Sequence, residues 1–253
     1  MGSIGCMWSA HSTSRRRCLF TACALLAGVA QAADDKPVEL HHRLSPPHAV
    51  ALTLDACSGT YDQRLIALLV RHRVPATLFV TKRWLDHNAA AVQEILLHSD
   101  LFEFENHGAQ HVPAVVDAGV GAGQRLFGMK VQPDEDALRA EITVGADAVR
   151  AASGRTPRYF RGAGAAYDSA GQAAVLALGY RIAGFSVNAD AGASYPASAV
   201  ASRLRKVQPG DVVLAHMNHP TSGTAEGFAR ALPELLQRGV VFVKLSQSML
   251  VTP

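Results

Sequence analysis

The stretch from residue 49 to residue 80, AVALTLDACSGTYDQRLIALLVRHRVPATLFV, decides the fold. Ala49 to Leu54 is apolar but for Thr53 and ends at Asp55, the signature of a buried strand. Arg64 to Val70 then changes to the spacing of an amphipathic helix. Pro75 opens a second strand-like run, Ala76 to Val80. A strand, a helix and a strand in that order form a βαβ unit, whose two strands run parallel.

Working outward, the alternation continues. Asn88 caps a helix running to about His98, and Leu101 to Glu105 reads as a third strand. Gly119 to Pro133 has no clear period and reads as a long loop. Pro133-Asp134-Glu135 opens a helix reaching about Ala152, with the acidic first turn that the helix dipole favours. Pro157 to Phe160 is a short strand, and Ser169 to Leu178 a helix closed by Gly179. Tyr180 to Val187 reads as one strand, Ala197 to Val207 as a helix and Val212 to Ala215 as a strand. The helix Ala225 to Gln237 and the strand Val240 to Val243 end the series. This is an α/β pattern with a mainly parallel sheet and helices outside it. Periodicity leaves open a barrel or an open doubly wound sheet.

Toward the N-terminus, Arg15-Arg16-Arg17, an apolar run from Cys18 to Val29 and Ala30-Gln31-Ala32 make the three parts of an export signal, cleaved before Ala33. Ser14-Arg15-Arg16 followed by Leu19 also loosely resembles a twin-arginine signal. The expected organisation is a signal over 1–32, an irregular polar arm over 33–47 and one catalytic domain over 48–253. The expected location is periplasmic or secreted. The apolar run is shorter than the roughly 20 residues a membrane-spanning helix needs. No stable membrane insertion is therefore expected once the signal is removed. The formal charge of +3 comes from those three arginines. What remains is balanced, with no basic stripe for nucleic acid. Cys57 is the one cysteine beyond the signal, so no internal disulfide is expected.

The residues able to do chemistry fall at strand ends. Asp55 ends the first strand and His107 follows the third. Arg161 follows Phe160, Asn188 and Asp190 follow Val187, and His216 ends Val212 to Ala215. In parallel α/β folds the carboxyl ends of the strands form the ligand site. His107-Gly108-Ala109-Gln110-His111 has the i, i+4 spacing that puts two imidazoles on one face of a helical turn, where they can share a divalent metal. Gly108 stands where zinc proteases carry their general-base Glu, so a base must come from elsewhere. Asp55 is the natural choice, held ionised by Arg161. His219 is a weaker alternative to His216. Cys57 reads as a thiolate ligand, a nucleophile or a small buried residue.

Taken in order, these motifs resemble the NodB-type polysaccharide deacetylases, carbohydrate esterase family four. Thr53-Leu54-Asp55 stands for the family's Thr-Phe-Asp-Asp, and His107 to His111 for its His-x-x-x-His. Phe160-Arg161-Gly162 stands for its Arg-x-Pro, Ser186 to Asp190 for its Asp-rich motif, and Val213 to His216 for its Leu-x-His. The resemblance spans about Ala49 to Leu250. It implies a distorted (β/α) barrel of seven or eight strands and a metal-dependent removal of N-acetyl groups from a carbohydrate. Asp55 would act as base, His216 as acid, Arg161 would orient Asp55, and Asp190 would hold His216 protonated. One divalent metal ion, zinc first, is implied at His107 and His111, with Asp55 as the favoured third ligand.

The departures are informative as well. The family's second Asp, a metal ligand, is here Ala56, which makes Cys57 and Asp62 alternative third ligands. Its Pro two residues beyond Arg161 is Ala163, and its aromatic after the Asp-rich motif is missing around Ala191-Gly192-Ala193. Two other readings keep the fold: an inactive carbohydrate-binding barrel, and a C–N hydrolase of a small amide or cyclic imide.

Overall fold

Strand β1, Val50–Ala56, is buried at every position, and that burial organises the rest of the molecule. The computed structural model describes residues 36–116, 125–126 and 128–253. The predicted export signal lies outside the described residues. Val50, Leu52, Leu54 and Ala56 point into one apolar layer, while Ala51 belongs to a second layer on the other face. Full burial of side chains such as Leu52 and Leu54 is worth about 1.5–3 kcal/mol each.

Around β1 lie β2 (Ala76–Val80), β3 (Phe102–Asn106), β4 (Tyr159–Phe160), β5 (Arg181–Ile182), β6 (Val187–Asn188), β7 (Val212–His216) and β8 (Phe242–Val243). The sheet order is β5-β4-β3-β2-β1-β7-β6, with β8 also against β1, and every pairing is parallel. The expected distorted (β/α) barrel is the fold observed. Helices α1 (Gln63–Arg71), α2 (Lys82–His87), α3 (Ala89–Leu96), α4 (Glu135–Ser153), α5 (Ser169–Ala177), α6 (Ala197–Leu204) and α7 (Thr224–Gln237) complete the alternation.

Four expectations need correction. The run Tyr180 to Val187 is not one strand but two, β5 and β6, at opposite edges of the sheet. The chain crosses between them at Ala183–Ser186, where Ala183 N–H donates to Phe160 O and Ser186 N–H to Val212 O. The helix expected from Asn88 is preceded by a second one, α2, capped by Thr81, whose hydroxyl accepts from Trp84 N–H at 3.0 Å. The arm is partly ordered strand: Val38–Glu39 pairs with Ala166–Tyr167, and Arg43–Ser45 with Met249–Val251. Within the stretch read as a loop, Arg125–Leu126 and Met129–Lys130 form a small hairpin.

Candidate metal and acid–base site

Asp55 and His216 are register partners on the neighbouring parallel strands β1 and β7, so the ladder alone brings them side by side. Arg161, just beyond β4, is fully buried and reaches across the barrel to Asp55. Its Nη1 donates to Asp55 Oδ1 at 2.7 Å and to Thr53 Oγ1 at 2.9 Å. Its Nε donates to Ala183 O and its Nη2 to Gly184 O, and the guanidinium lies 4.2 Å above the Phe79 ring. A buried guanidinium held at this many points cannot swing away from its carboxylate. Burial alone would raise the pKa of Asp55, but the charges of Arg161, His107 and His216 outweigh it and hold the carboxyl below its usual range.

His216 has its own carboxylate. Asp190, fully buried, accepts from His216 Nδ1 at 2.9 Å through Oδ1. Its Oδ2 accepts from His216 backbone N–H at 2.7 Å and from the Thr224 hydroxyl at 2.9 Å. Burial opposes a charged His216 ring, yet hydrogen bonding to Asp190 and the nearby Cys57 raise its pKa well above the ordinary histidine value. Burial likewise raises Asp190, and the His216 contacts more than reverse this. His219 is exposed and lies outside this arrangement.

The histidine pair is built differently from expectation. Residues 107–111 form a loop, not a helical turn, with φ of +85° at Gly108 and +66° at His111. Gly108 N–H donates to Asn106 Oδ1 and Gln110 N–H to Glu141 Oε1, both bonds under 3.0 Å. Gly108 O and Ala109 O accept the first N–H groups of α2. The loop still brings the rings together, centroids 4.9 Å apart and steeply inclined at 66°.

Cys57 completes the cluster. One ligand atom each from Cys57, His107 and His111 lies within 4.8 Å of the other two. The backbone at Cys57 is fixed by Thr81, whose hydroxyl donates to Cys57 O at 2.7 Å. Asp55, favoured as third ligand from the sequence, stands beside this group, with Oδ2 3.5 Å from His107 Nε2. Asp62, the other alternative, is the N-cap of α1 and pairs with Arg64.

The protonation pattern bears on what the cluster can hold. His107 Nδ1 sits 2.7 Å from Arg161 O, and a carbonyl only accepts, so Nδ1 carries the proton. In the neutral ring Nε2 then presents a lone pair to Cys57 Sγ at 3.6 Å and to Asp55 Oδ2. Electron-pair donors that face one another in a buried site need a proton or a cation between them. Burial would raise the Cys57 thiol, but hydrogen bonds with His107, His111 and His216 bring it well below its ordinary value. Burial lowers His107, and Asp55 and Cys57 more than compensate, raising it. A thiolate, two imidazoles and an adjacent carboxylate fit a divalent metal of borderline softness. A metal-binding histidine that donates its second N–H to a backbone carbonyl is the usual supporting arrangement.

The family departures have local explanations. Ala163 N–H donates to Val112 O at 3.1 Å, a bond that proline could not make. The residues where an aromatic was missing, Ala191, Gly192 and Ala193, all take positive φ. A cavity of about 190 Å³ opens over the site, lined by Asp55, His111, Phe185, Asn188, Leu214 and His216 among others. Sequence reasoning gave no role to Thr53, Thr81, Glu141 or Thr224. Polar residues inside or just beyond the apolar strands were the available signal for the first two.

The polysaccharide deacetylase family pattern matches residues 42–183, and the chain belongs to that family. Comparison with curated proteins gives no match. Solved structures of similar fold include a wild-type pseudoenzyme of carbohydrate esterase family four from Bacillus anthracis. It is 20% identical, with 84% of this chain and 69% of that one covered and a TM-score of 0.66. A peptidoglycan N-acetylglucosamine deacetylase is 19% identical, with coverages of 82% and 91% and a TM-score of 0.66. A family 4 acetyl xylan esterase from Clostridium thermocellum, in complex with a cobalt ion, is 22% identical, with coverages of 79% and 89% and a TM-score of 0.63.

Proposed function

We propose that this protein is a metal-dependent hydrolase that removes N-acetyl groups from a polysaccharide or oligosaccharide outside the cytoplasm. The observation that carries this reading is the facing pair of Arg161–Asp55 and Asp190–His216 on adjacent strands. The two pairs push the ionisable groups in opposite senses, leaving an ionised carboxylate beside a protonated imidazole, the division of labour that amide hydrolysis needs.

A divalent metal held by His107 and His111, with Cys57 or Asp55, would supply Lewis-acid polarisation of the acetyl carbonyl. Asp55 takes a proton from the attacking water through Oδ2, the oxygen not paired with Arg161. Arg161 keeps Asp55 ionised and fixes its plane. His216, with Nδ1–H bonded to Asp190, delivers a proton to the departing amine from its other nitrogen. The small cavity suits an acetyl group, with the sugar left at the rim.

An inactive binding barrel is the second reading, favoured by Ala56 and by the likeness in fold to a pseudoenzyme. Binding alone has no need of two buried ion pairs, which argues for turnover. The extracytoplasmic location rests on the arginine, apolar and small-residue pattern of residues 1–32.

Acetate release from N-acetylated chito-oligosaccharides tests the reading, with Asp55→Asn and His216→Ala as controls. Release that falls by about 10²–10⁴ in each variant is expected. Sugar binding without any release would transfer the protein to the binding-barrel reading.

A further inference from the structure

We propose that Cys57, His107 and His111 are the protein ligands of a thiolate-containing divalent-metal centre in which Cys57 supplies the third ligand and Asp55 remains free to carry protons. This deepens the reading above, because it names the atoms that hold the cation that reading requires.

Five observations support it. The three ligand atoms lie mutually within 4.8 Å, and Asp55 is outside that group. Asp55 is already committed, since Oδ1 is bound by the immobile Arg161 and only Oδ2 is turned toward His107. Ala56, next after Asp55, directs its side chain into the apolar layer with Leu54 and Val80. The first side chain beyond β1 that turns to the site is therefore Cys57. Thr81 pins the backbone there through its hydroxyl and through Thr81 N–H to Ala56 O at 3.2 Å. His107 is oriented by the Arg161 carbonyl, so one residue positions both the carboxylate and a ligand.

The donor set carries a selectivity. Thiolate and imidazole favour zinc and cobalt over the oxygen-preferring magnesium, calcium and manganese.

The test is optical titration of the purified, metal-free chain with cobalt(II). The wild type is expected to take up one equivalent and to develop a near-ultraviolet sulfur-to-cobalt charge-transfer band. Cys57→Ser should lose that band and bind cobalt at least tenfold more weakly, beyond the lower end of the about 10–100-fold cost of outer-shell changes. Cys57→Asp should regain affinity without the band, which also shows that the position tolerates substitution. A wild-type cobalt complex lacking the band, or a Cys57→Ser protein with wild-type spectrum and affinity, overturns the assignment. So does a wild type that takes up no cobalt while its thiol is alkylated by iodoacetamide, which would make Cys57 and its histidines a metal-free ion pair. The readout is independent of acetyl chemistry. A clear band with no acetate release keeps the centre and removes the deacetylase reading.

Discussion

Asp55 and His216 stand opposite each other in the β1–β7 ladder, whereas Cys57, His107 and His111 all stand beyond strand ends, on loops. The proton-handling half needs only correct strand pairing: once Leu54 meets Ala215, Asp55 must meet His216. The half proposed to bind a metal needs two loops folded in one particular way. One of them places His111 at positive φ, a conformation that costs a non-glycine residue roughly 1–3 kcal/mol. Glu141 from α4, Asn106 from β3 and Thr81 hold those loops. The proton-handling geometry therefore comes from the sheet, and the metal-handling geometry from helices and loops packed around it. The two should respond separately to substitution.

The largest expected effect lies in the sheet-borne half. Asp190→Asn removes the carboxylate that orients and charges His216, and kcat on an acetylated oligosaccharide should fall by about 10²–10⁴. Metal content by mass spectrometry should stay at the wild-type level. A parallel loss of metal would break the separation, because it would mean that Asp190 holds the ligand loops as well.

A middle-sized effect is expected in the loop-borne half. Gly145 in α4 faces the histidine loop so closely that an added Cβ would lie 2.5 Å from Asn106 Oδ1 and 2.6 Å from the Gly108 carbonyl carbon. Backbone at that distance cannot yield without moving the loop. Gly145→Ala should cost about 1–3 kcal/mol of stability by overpacking, read from the urea midpoint. Cobalt affinity should fall with it while the Asp190–His216 pair stays intact. Unchanged affinity would show that the loop keeps its shape without α4.

The same division decides what could be read from the sequence. Strands β1, β2 and β7 announced themselves as apolar runs and β3 as an alternation of Phe and Glu, and the polar residues at or just beyond three of those ends, Asp55, His107 and His216, were picked out by position. Arg161 and Asp190 were found as readily, and the structure brings each to the partner assigned to it. The histidine spacing was recognised, but its helical geometry was wrong, because the loop is held by a residue distant in sequence, Glu141 of α4, whose carboxylate accepts from Gln110 N–H. Cys57 was left among several alternatives for the same reason: its place beside His107 follows from Thr81 and the turn after Ala56, neither of which has a periodic signal. The Tyr180 to Val187 run was merged because strand propensity does not reveal a change of sheet edge. Contacts set by local pattern are legible, and contacts set by where distant elements pack are not.

The smallest expected effect sharpens the comparison within the sheet-borne half. Thr224, in the first turn of α7, gives Asp190 Oδ2 one hydrogen bond at 2.9 Å, while the His216 backbone N–H gives the same oxygen another at 2.7 Å. Thr224→Val removes one of the three donors described for the Asp190 carboxylate and leaves the Oδ1–imidazole bond untouched. The loss should be about 1 kcal/mol, near the middle of the range for a buried hydrogen bond. For a chain of this size that corresponds to a fall in Tm of about 2–4 °C. Because His216 keeps its carboxylate, kcat should fall by less than about tenfold, a 1.4 kcal/mol change in barrier. A fall as deep as that of Asp190→Asn would mean that the helix, and not the strand ladder, sets the orientation of Asp190. The proton-handling half would then depend on outside packing as much as the metal-binding half does.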